Sequence, residues 1–348
     1  MVMTVLPVSN MRVLTDKQVQ LKPLVVVLGP TAVGKSRIAL EVAKHYGTEI
    51  LTADSRQVYR GLDIGTDKPP IASWDGVPHR LIDVVNPDEP FNAGLFRRHA
   101  TDAIVQLLYQ RRLPLVAGGT GLYIRTLLQG LCEAPPSNPS VRARLRDEAR
   151  EQGYDRLYAR LVAVDPTTAA KLHPRDSAKV VRALEVYQLS GRPISEFQQR
   201  HRFVDRPFST LIIGLDRERA HLYRRIEERI EWQLANGMIQ ETRTLLERGY
   251  SRDCAAMKGL GYRQVAAHLA GEYDWDEMVR RFKRDTRRFA KRQMTWFRQE
   301  RDVTWLKLDE SEPVDRAVQR VVNLIDRFLS ELEEGRGQTG VTEHQGSL

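Results

Sequence analysis

An α/β fold, a mainly parallel sheet flanked by helices with an all-helical insertion, follows from three observations on this chain. Short apolar runs alternate with segments of helical periodicity, the first run leads directly into a glycine-rich loop and a helix, and strand-like runs stop over one central stretch. Six strands are predicted, at 24–28, 49–53, 80–85, 113–117, 210–215 and 303–308. Helices are predicted at 37–46, 91–111, 120–128 and 217–235. Proline-rich residues 135–139 then open a stretch whose only patterns are helical, at 140–152, 154–164 and 178–189, and which closes at 206–207. Prolines at both ends read as hinges, so 135–207 is expected as an insertion into a core of 22–134 and 208–330. Residues 1–20 and 333–348 read as poorly ordered ends.

The glycine-rich loop narrows the chemistry. Gly29, Pro30, Thr31, Ala32, Val33, Gly34, Lys35 and Ser36 follow the first strand and open a helix. Glycines let backbone N–H groups converge on phosphate oxygens, and the helix contributes its positive N-terminus. Lys35 adds a mobile charge, and the Ser36 hydroxyl can ligate Mg²⁺. The expected architecture is therefore P-loop NTPase-like, and the ligand carries a diphosphate or triphosphate.

Composition and charge point to a second, larger partner. Of 348 residues, 41% are hydrophobic and the formal net charge is +9. No stretch reaches the roughly 20 apolar residues needed to span a bilayer, and no signal-peptide pattern is visible, so a cytoplasmic protein with no membrane partner is expected. Cys132 and Cys254 form no C-x-x-C pair and are expected to be buried or inert. Between positions 280 and 301 ten cations face only Asp285 and Glu300, while Phe282, Phe289 and Trp296 recur every seven positions. On a helix, that spacing predicts a buried aromatic seam with a basic surface around it. With so few interleaved acids, a polyanion such as a nucleic-acid backbone is the better reading than a merely solvated face.

In a parallel sheet, ligands lie beyond the carboxyl ends of the strands. There the sequence places Asp54, Ser55, Arg56 and Gln57 after the second strand, and Gly118, Gly119 and Thr120 after a later one. Asp54 could cap a helix, hold Mg²⁺ or act as a general base, and its position alone leaves the three open.

Several motifs together resemble the bacterial tRNA dimethylallyltransferases, or tRNA isopentenyltransferases. They are Gly-Pro-Thr-Ala-Val-Gly-Lys-Ser at 29–36, Asp-Ser-Arg-Gln-Val-Tyr at 54–59, the run from Gly61 to Pro69, Pro-His-Arg-Leu-Ile-Asp at 78–83 and Gly-Gly-Thr-Gly-Leu-Tyr at 118–123. Val-Arg-Ala-Leu-Glu at 181–185, Gly-Leu-Gly-Tyr-Arg at 259–263 and Ala-Lys-Arg-Gln-Met-Thr-Trp at 290–296 complete them, so the likeness covers roughly 24–306. Each motif is weak alone, and their joint order is specific. Val33 and Arg56 depart from the family pattern beside the inferred roles. Only two cysteines are present, which matches the bacterial type lacking a zinc finger.

The resemblance implies transfer of a dimethylallyl group from dimethylallyl diphosphate to N6 of adenosine-37 in tRNAs that read codons beginning with U. It implies Mg²⁺ as cofactor, through Ser36, and a monomer. It makes Asp54 the general base, and Thr31 and Arg229 the groups acting on the leaving diphosphate. It places Asp54, Ser55, Arg56, Gln57, Thr120, Arg142, Ala178, Lys179, Val180, Val181 and Arg182 against tRNA. Lys258, Gly259, Leu260, Gly261, Tyr262, Arg263, Asp285, Arg287, Arg288, Lys291 and Arg292 would join them, gripping the anticodon stem-loop. By spacing alone Arg229, among Glu227, Glu228 and Glu231, could equally be a surface ion pair. Rival readings are an adenylate isopentenyltransferase acting on free nucleotides, a P-loop nucleotide kinase, and an RNA-binding module without catalysis.

Overall fold

The computed structural model describes residues 13–201 and 206–335. Its sheet has six strands in the order β3-β2-β4-β1-β5-β6, every neighbouring pair parallel. The central strand β1, Pro23–Leu28, is buried at every position, as a strand covered on both faces must be. Around it lie β2 (Ile50–Ala53), β4 (Leu115–Gly118), β5 (Ser209–Arg217) and β6 (Val303–Leu308).

The strand expected at 80–85 is only β3, His79–Arg80. Leu81 and Asp83 take left-handed φ angles of 64° and 54°, which end the extended ladder. The chain rejoins its neighbour only through an isolated bridge between Tyr59 and Val85.

Helices α1 (Asp16–Gln20), α2 (Lys35–His45), α3 (Ala93–Tyr109) and α4 (Gly121–Gln129) belong to the first half of the core. Part of the expected disordered start is thus helix. Thr15 and Gln18 form a reciprocal capping box on α1, and the Gln18 amide donates to Leu329 O at 3.1 Å. The disorder expected for residues 1–12 and 336–348 lies outside the described residues.

Residues Gln129–Arg206 form one compact unit and the described residues on either side form the other. The first is wholly helical: α5 (Pro139–Gln152), α6 (Tyr154–Val164), α7 (Pro166–Ala169), α8 (Ser177–Ser190) and α9 (Ile194–His201). It has its own core of Val141, Leu145, Leu157, Leu161, Val180, Val181 and Leu184.

After β5 come α10 (Arg219–Ala235), α11 (Met238–Glu247), α12 (Tyr262–Leu269), α13 (Trp275–Phe297) and α14 (Val314–Glu334). On α13 the buried stripe is Met278, Phe282, Thr286, Ala290, Gln293, Met294 and Phe297. Phe289 and Trp296 sit half-buried at its margin and do not extend a seam from Phe282. A straight helix drifts about 20° per heptad, so a strict seven-residue spacing walks off the buried face.

Both cysteines are free and half-buried. No described helix is long and apolar enough to cross a membrane.

Candidate active site

Loops leaving β1, β2 and β4 emerge at one edge of the sheet, and α10 and α13 bring their side chains to the same place. The half-open cavity there has a volume of about 620 Å³. Thr31, Lys35, Ser36, Asp54, Gln57, Asp67, His79, Gly119, Arg225, Arg229, Trp232, Phe289 and Gln293 are among its walls.

The loop is set by sterics and then held from outside. Gly29 has φ +155°, and a Cβ there would stand 2.7 Å from Leu215 O, so only glycine fits against β5. Ala32 and Gly34 also have positive φ, 63° and 110°. Three loop carbonyls are occupied by cations: Lys35 Nζ donates to Pro30 O at 2.8 Å, Arg225 Nε to Ala32 O at 2.9 Å and Arg217 Nε to Val33 O at 2.9 Å. This ties the electronegative edge of the loop back into protein. Burial pushes the Lys35 ammonium down to about 8; Asp54 opposes that shift, Arg229 adds to it, and Asp67 opposes it.

Thr31 is held at both its polar groups. Its N–H donates to Gln293 Oε1 at 2.9 Å, and its hydroxyl accepts from Arg229 Nη2. Arg229 Nη1 pairs with Asp67 at 3.0 Å, and its buried Nε has no partner among the described residues. The Asp67 loop is itself pinned. Glu241 accepts the N–H groups of Asp63, Ile64 and Gly65 and the Tyr262 hydroxyl, while the Gln57 amide donates to Thr66 O and Asp67 O.

Asp54, the strongest charge acting on Lys35, lies beside it on the cavity wall. Its Oδ1 accepts from Arg56 N at 2.7 Å and Gln57 N at 3.4 Å, a local turn of the kind aspartate forms after a strand. No other hydrogen bond to this carboxylate is made by the described residues, and Asp54 is part of the cavity wall. Thr120 ties β2 to β4: its hydroxyl accepts from Ser55 N at 2.9 Å and its N–H reaches Ala53 O at 3.1 Å.

Other sequence-expected residues are dispersed. Val180 and Val181 are 1% and 3% exposed, so their side chains belong to the helical unit's core and only Ala178 and Lys179 beside them are exposed. Arg142 and Arg182 both bond the fully buried Glu185, and Arg182 also reaches Pro135 O. Tyr262 is 1% exposed and its hydroxyl is spent on Glu241. Gly261 N donates to Gln264 Oε1, Gly259 sits against Tyr262, half-buried Leu260 packs on the main core, and Lys258 lies 3.5 Å from Asp253. Arg56 donates to Ala255 O from the same neighbourhood.

The basic helix is more neutralised than its own sequence suggests. Arg280 and Arg281 pair with Glu277, Lys283 with Glu231, Arg284 and Arg263 with Asp285, and Arg287 with Glu227. Arg288, Lys291 and Arg292 form no ion pair with any described residue, and together with Thr295, Trp296 and Gln299 they line a second, shallow depression. Arg125, bonded to Glu300, stacks 4.2 Å over the Trp296 ring and props its edge.

Sequence reasoning missed Asp67, Arg217, Arg225 and Gln293. A buried amide in the middle of an apolar helical stripe was the available signal for Gln293, and Asp67 lies inside the 61–69 motif; nothing in the local pattern marks Arg217 or Arg225.

Residues 57–300 match the IPP transferase family and residues 22–85 the isopentenyl transferase family. The tRNA dimethylallyltransferase of Geobacter metallireducens is 50% identical over 284 residues, covering 82% of this chain and 92% of that protein. The chain belongs to the tRNA dimethylallyltransferase family. The family member of Desulforudis audaxviator is 45% identical over 305 residues, 88% of this chain and 98% of its own. Among solved structures of the family, the full-length tRNA isopentenylpyrophosphate transferase of Bacillus halodurans superposes with TM-score 0.69 at 35% identity, over 91% of this chain and all of that one. A eukaryotic dimethylallyltransferase acting on tRNA superposes with TM-score 0.75 at 26% identity, over 89% of this chain and 80% of that one.

Proposed function

We propose that this enzyme transfers the dimethylallyl group of dimethylallyl diphosphate to N6 of adenosine-37, beside the anticodon of tRNAs that read codons beginning with U, and releases diphosphate. One observation carries the reading. A single cavity brings a carboxylate oxygen with no other bond, on Asp54, together with the Thr31, Arg229 and Lys35 cluster. The reaction needs both ends: a proton acceptor for the amine and positive charge for the departing anion.

The exocyclic amine of adenine is a weak nucleophile because its lone pair is delocalised into the ring. Asp54 Oδ2 would accept a hydrogen bond from N6 and take its proton as the new N–C bond forms at C1 of the donor. The C1–O bond breaks and its electron pair leaves with the diphosphate. Since the Thr31 hydroxyl already accepts from Arg229, its own proton is free to be donated to the bridging oxygen, and the guanidinium polarises it for that purpose. Lys35, now on Pro30 O, would turn to the phosphate oxygens. The unpartnered Nε of Arg229 offers a further donor. The adenine must leave its stack to reach this site, at a cost of about a few kcal/mol.

An oxygen donor suited to Mg²⁺ is present in the Ser36 hydroxyl. Among the described residues no group of three His, Cys, Asp or Glu could hold a metal alone, so the protein would share the ion with the substrate's phosphates. When bound, the ion neutralises charge on the leaving diphosphate. For RNA, Arg288, Lys291 and Arg292 are the cations best placed to meet phosphates, with Ala178, Lys179 and Lys258 as exposed candidates elsewhere.

The test is incubation with radiolabelled dimethylallyl diphosphate, Mg²⁺ and either unmodified tRNA or AMP. Label is expected in tRNA alone, and Asp54→Ala should lower turnover by about 10²–10⁴-fold while tRNA binding persists. Equal labelling of AMP, or an Ala variant with near-normal turnover, refutes the reading.

A further inference from the structure

The amide of Gln293 joins two loops that the chemistry depends on. Its Oε1 accepts from Thr31 N at 2.9 Å and its Nε2 donates to Gly119 O at 2.8 Å. A backbone N–H on one side and a carbonyl on the other leave only one orientation of the amide that satisfies both. The side chain is 8% exposed, on the buried stripe of α13, and it forms part of the cavity wall. Gly119 makes room for it: a Cβ there would stand 2.5 Å from Nε2.

We infer that Gln293 is a positioning residue for the transfer, fixing the backbone of Thr31 so that its hydroxyl lies between Arg229 and the bridging oxygen of the donor. The inference rests on the role given above to Thr31. Thr31 sits between a loop glycine region and Ala32 at φ 63°, and its side chain is gripped by Arg229. The N–H to Gln293 is the one hydrogen bond that the Thr31 backbone itself makes among the described residues. Without it, the guanidinium still holds the hydroxyl, but the 30–31 peptide keeps anchors only at its carbonyl, Pro30 O, and the Lys35 one is given up when that ammonium turns to the phosphates. A displacement near 1 Å at a reacting group can cost about 10²-fold in rate. The other arm, to Gly119, registers this anchor against the end of β4, adjacent to the Thr120 link with Ser55. Gln293 thus spans the two strand ends carrying Thr31 and, through Thr120, the Asp54 turn.

The experiment is a cycle of Thr31→Ala, Gln293→Met and the double variant, with kcat and both KM values measured and active-site concentration titrated. Gln293→Met is expected to lower kcat by about 10–100-fold, with KM for tRNA within about twofold of the parent. The double variant should be no slower than Thr31→Ala, because both changes disable the same hydroxyl. Gln293→Leu, which likewise removes both hydrogen bonds and adds no charge, completes the cycle if the Met variant does not fold. Wild-type kcat in Gln293→Met, or losses that multiply in the double variant, overturns the inference. Wild-type kcat in Thr31→Ala instead overturns the role of Thr31 itself, and a slow Thr31→Ala beside a fast Gln293→Met leaves that role standing.

Discussion

Lys35 shows how a single residue can be present in a motif yet differ in character from a surface lysine. Buried near Arg229, with Asp54 and Asp67 only partly compensating, its ammonium sits at about 8. Below that pH it is charged and ready for a phosphate; above it, binding an anion must first recover a proton. Relative to Lys35→Arg, whose guanidinium stays charged, the wild-type Kd for inorganic diphosphate should therefore rise by up to about tenfold per pH unit above 8. Taking the ratio removes the ligand's own titration. Calorimetry from pH 7 to 9.5 checks this, and a constant ratio would show that the Lys35 charge does not take part. Asp67 belongs to the same circle: Asp67→Asn keeps the shape but removes the ion pair to Arg229. The expected result is weaker diphosphate binding with unchanged tRNA affinity, read by the same calorimetry and by filter binding; unchanged diphosphate affinity would make the pair incidental.

Among the elements, α13 carries the RNA question. Most of its cations are answered by carboxylates on α10 or on α13 itself, leaving Arg288, Lys291 and Arg292 without ion pairs among the described residues. Replacing these three by Gln should make the slope of log K against log[salt] for tRNA shallower by roughly two to three units, at about 0.7–0.9 per phosphate contact. Filter binding across a salt series measures it. The same slope in both proteins would place the RNA elsewhere. On α8, Glu185 does structural work. Burial alone would raise its carboxyl, but Arg142, Arg182 and Asn138 N outweigh burial and hold it below the ordinary glutamate value. Its contribution is thus complete above the ordinary glutamate range and fades as pH falls through the depressed value. Glu185→Ala should cost about 3 kcal/mol near neutrality, seen in chemical denaturation, and the difference from wild type should shrink in acid. A neutral substitution would mean that the two arginines are satisfied by water.

For the molecule as a whole, every residue lining the cavity comes from outside Gln129–Arg206, which has a core of its own. A chain in which a flexible linker replaces 129–206 should still melt cooperatively and bind inorganic diphosphate. Calorimetry on that protein would settle the point, and loss of either property would show that the two units depend on each other. The catalytic unit thereby separates from whatever the helical unit contributes to recognising RNA.

Five of the six strands, the glycine-rich loop and the helical character of residues 139–201 were legible in the sequence because they rest on local signals, apolar runs, glycines and helical periodicity, whereas the strand expected at 80–85 was cut to His79–Arg80 by left-handed Leu81 and Asp83. Asp54 was legible as a site residue from its place after β2, though the absence of any other bond to its carboxylate was not. What only the tertiary structure decided is who faces whom. Arg287 meets Glu227 across 60 residues, Lys283 meets Glu231 across 52, and Thr31 meets Gln293 across 262. Pattern along the chain records which face of an element is buried, so Val180 and Val181 could have been read as core from helical spacing alone. It holds no record of the partner brought up from a distant helix. A charge counted in sequence is a surface charge only if the fold leaves it without a carboxylate, and a loop is rigid only if something from elsewhere holds its backbone.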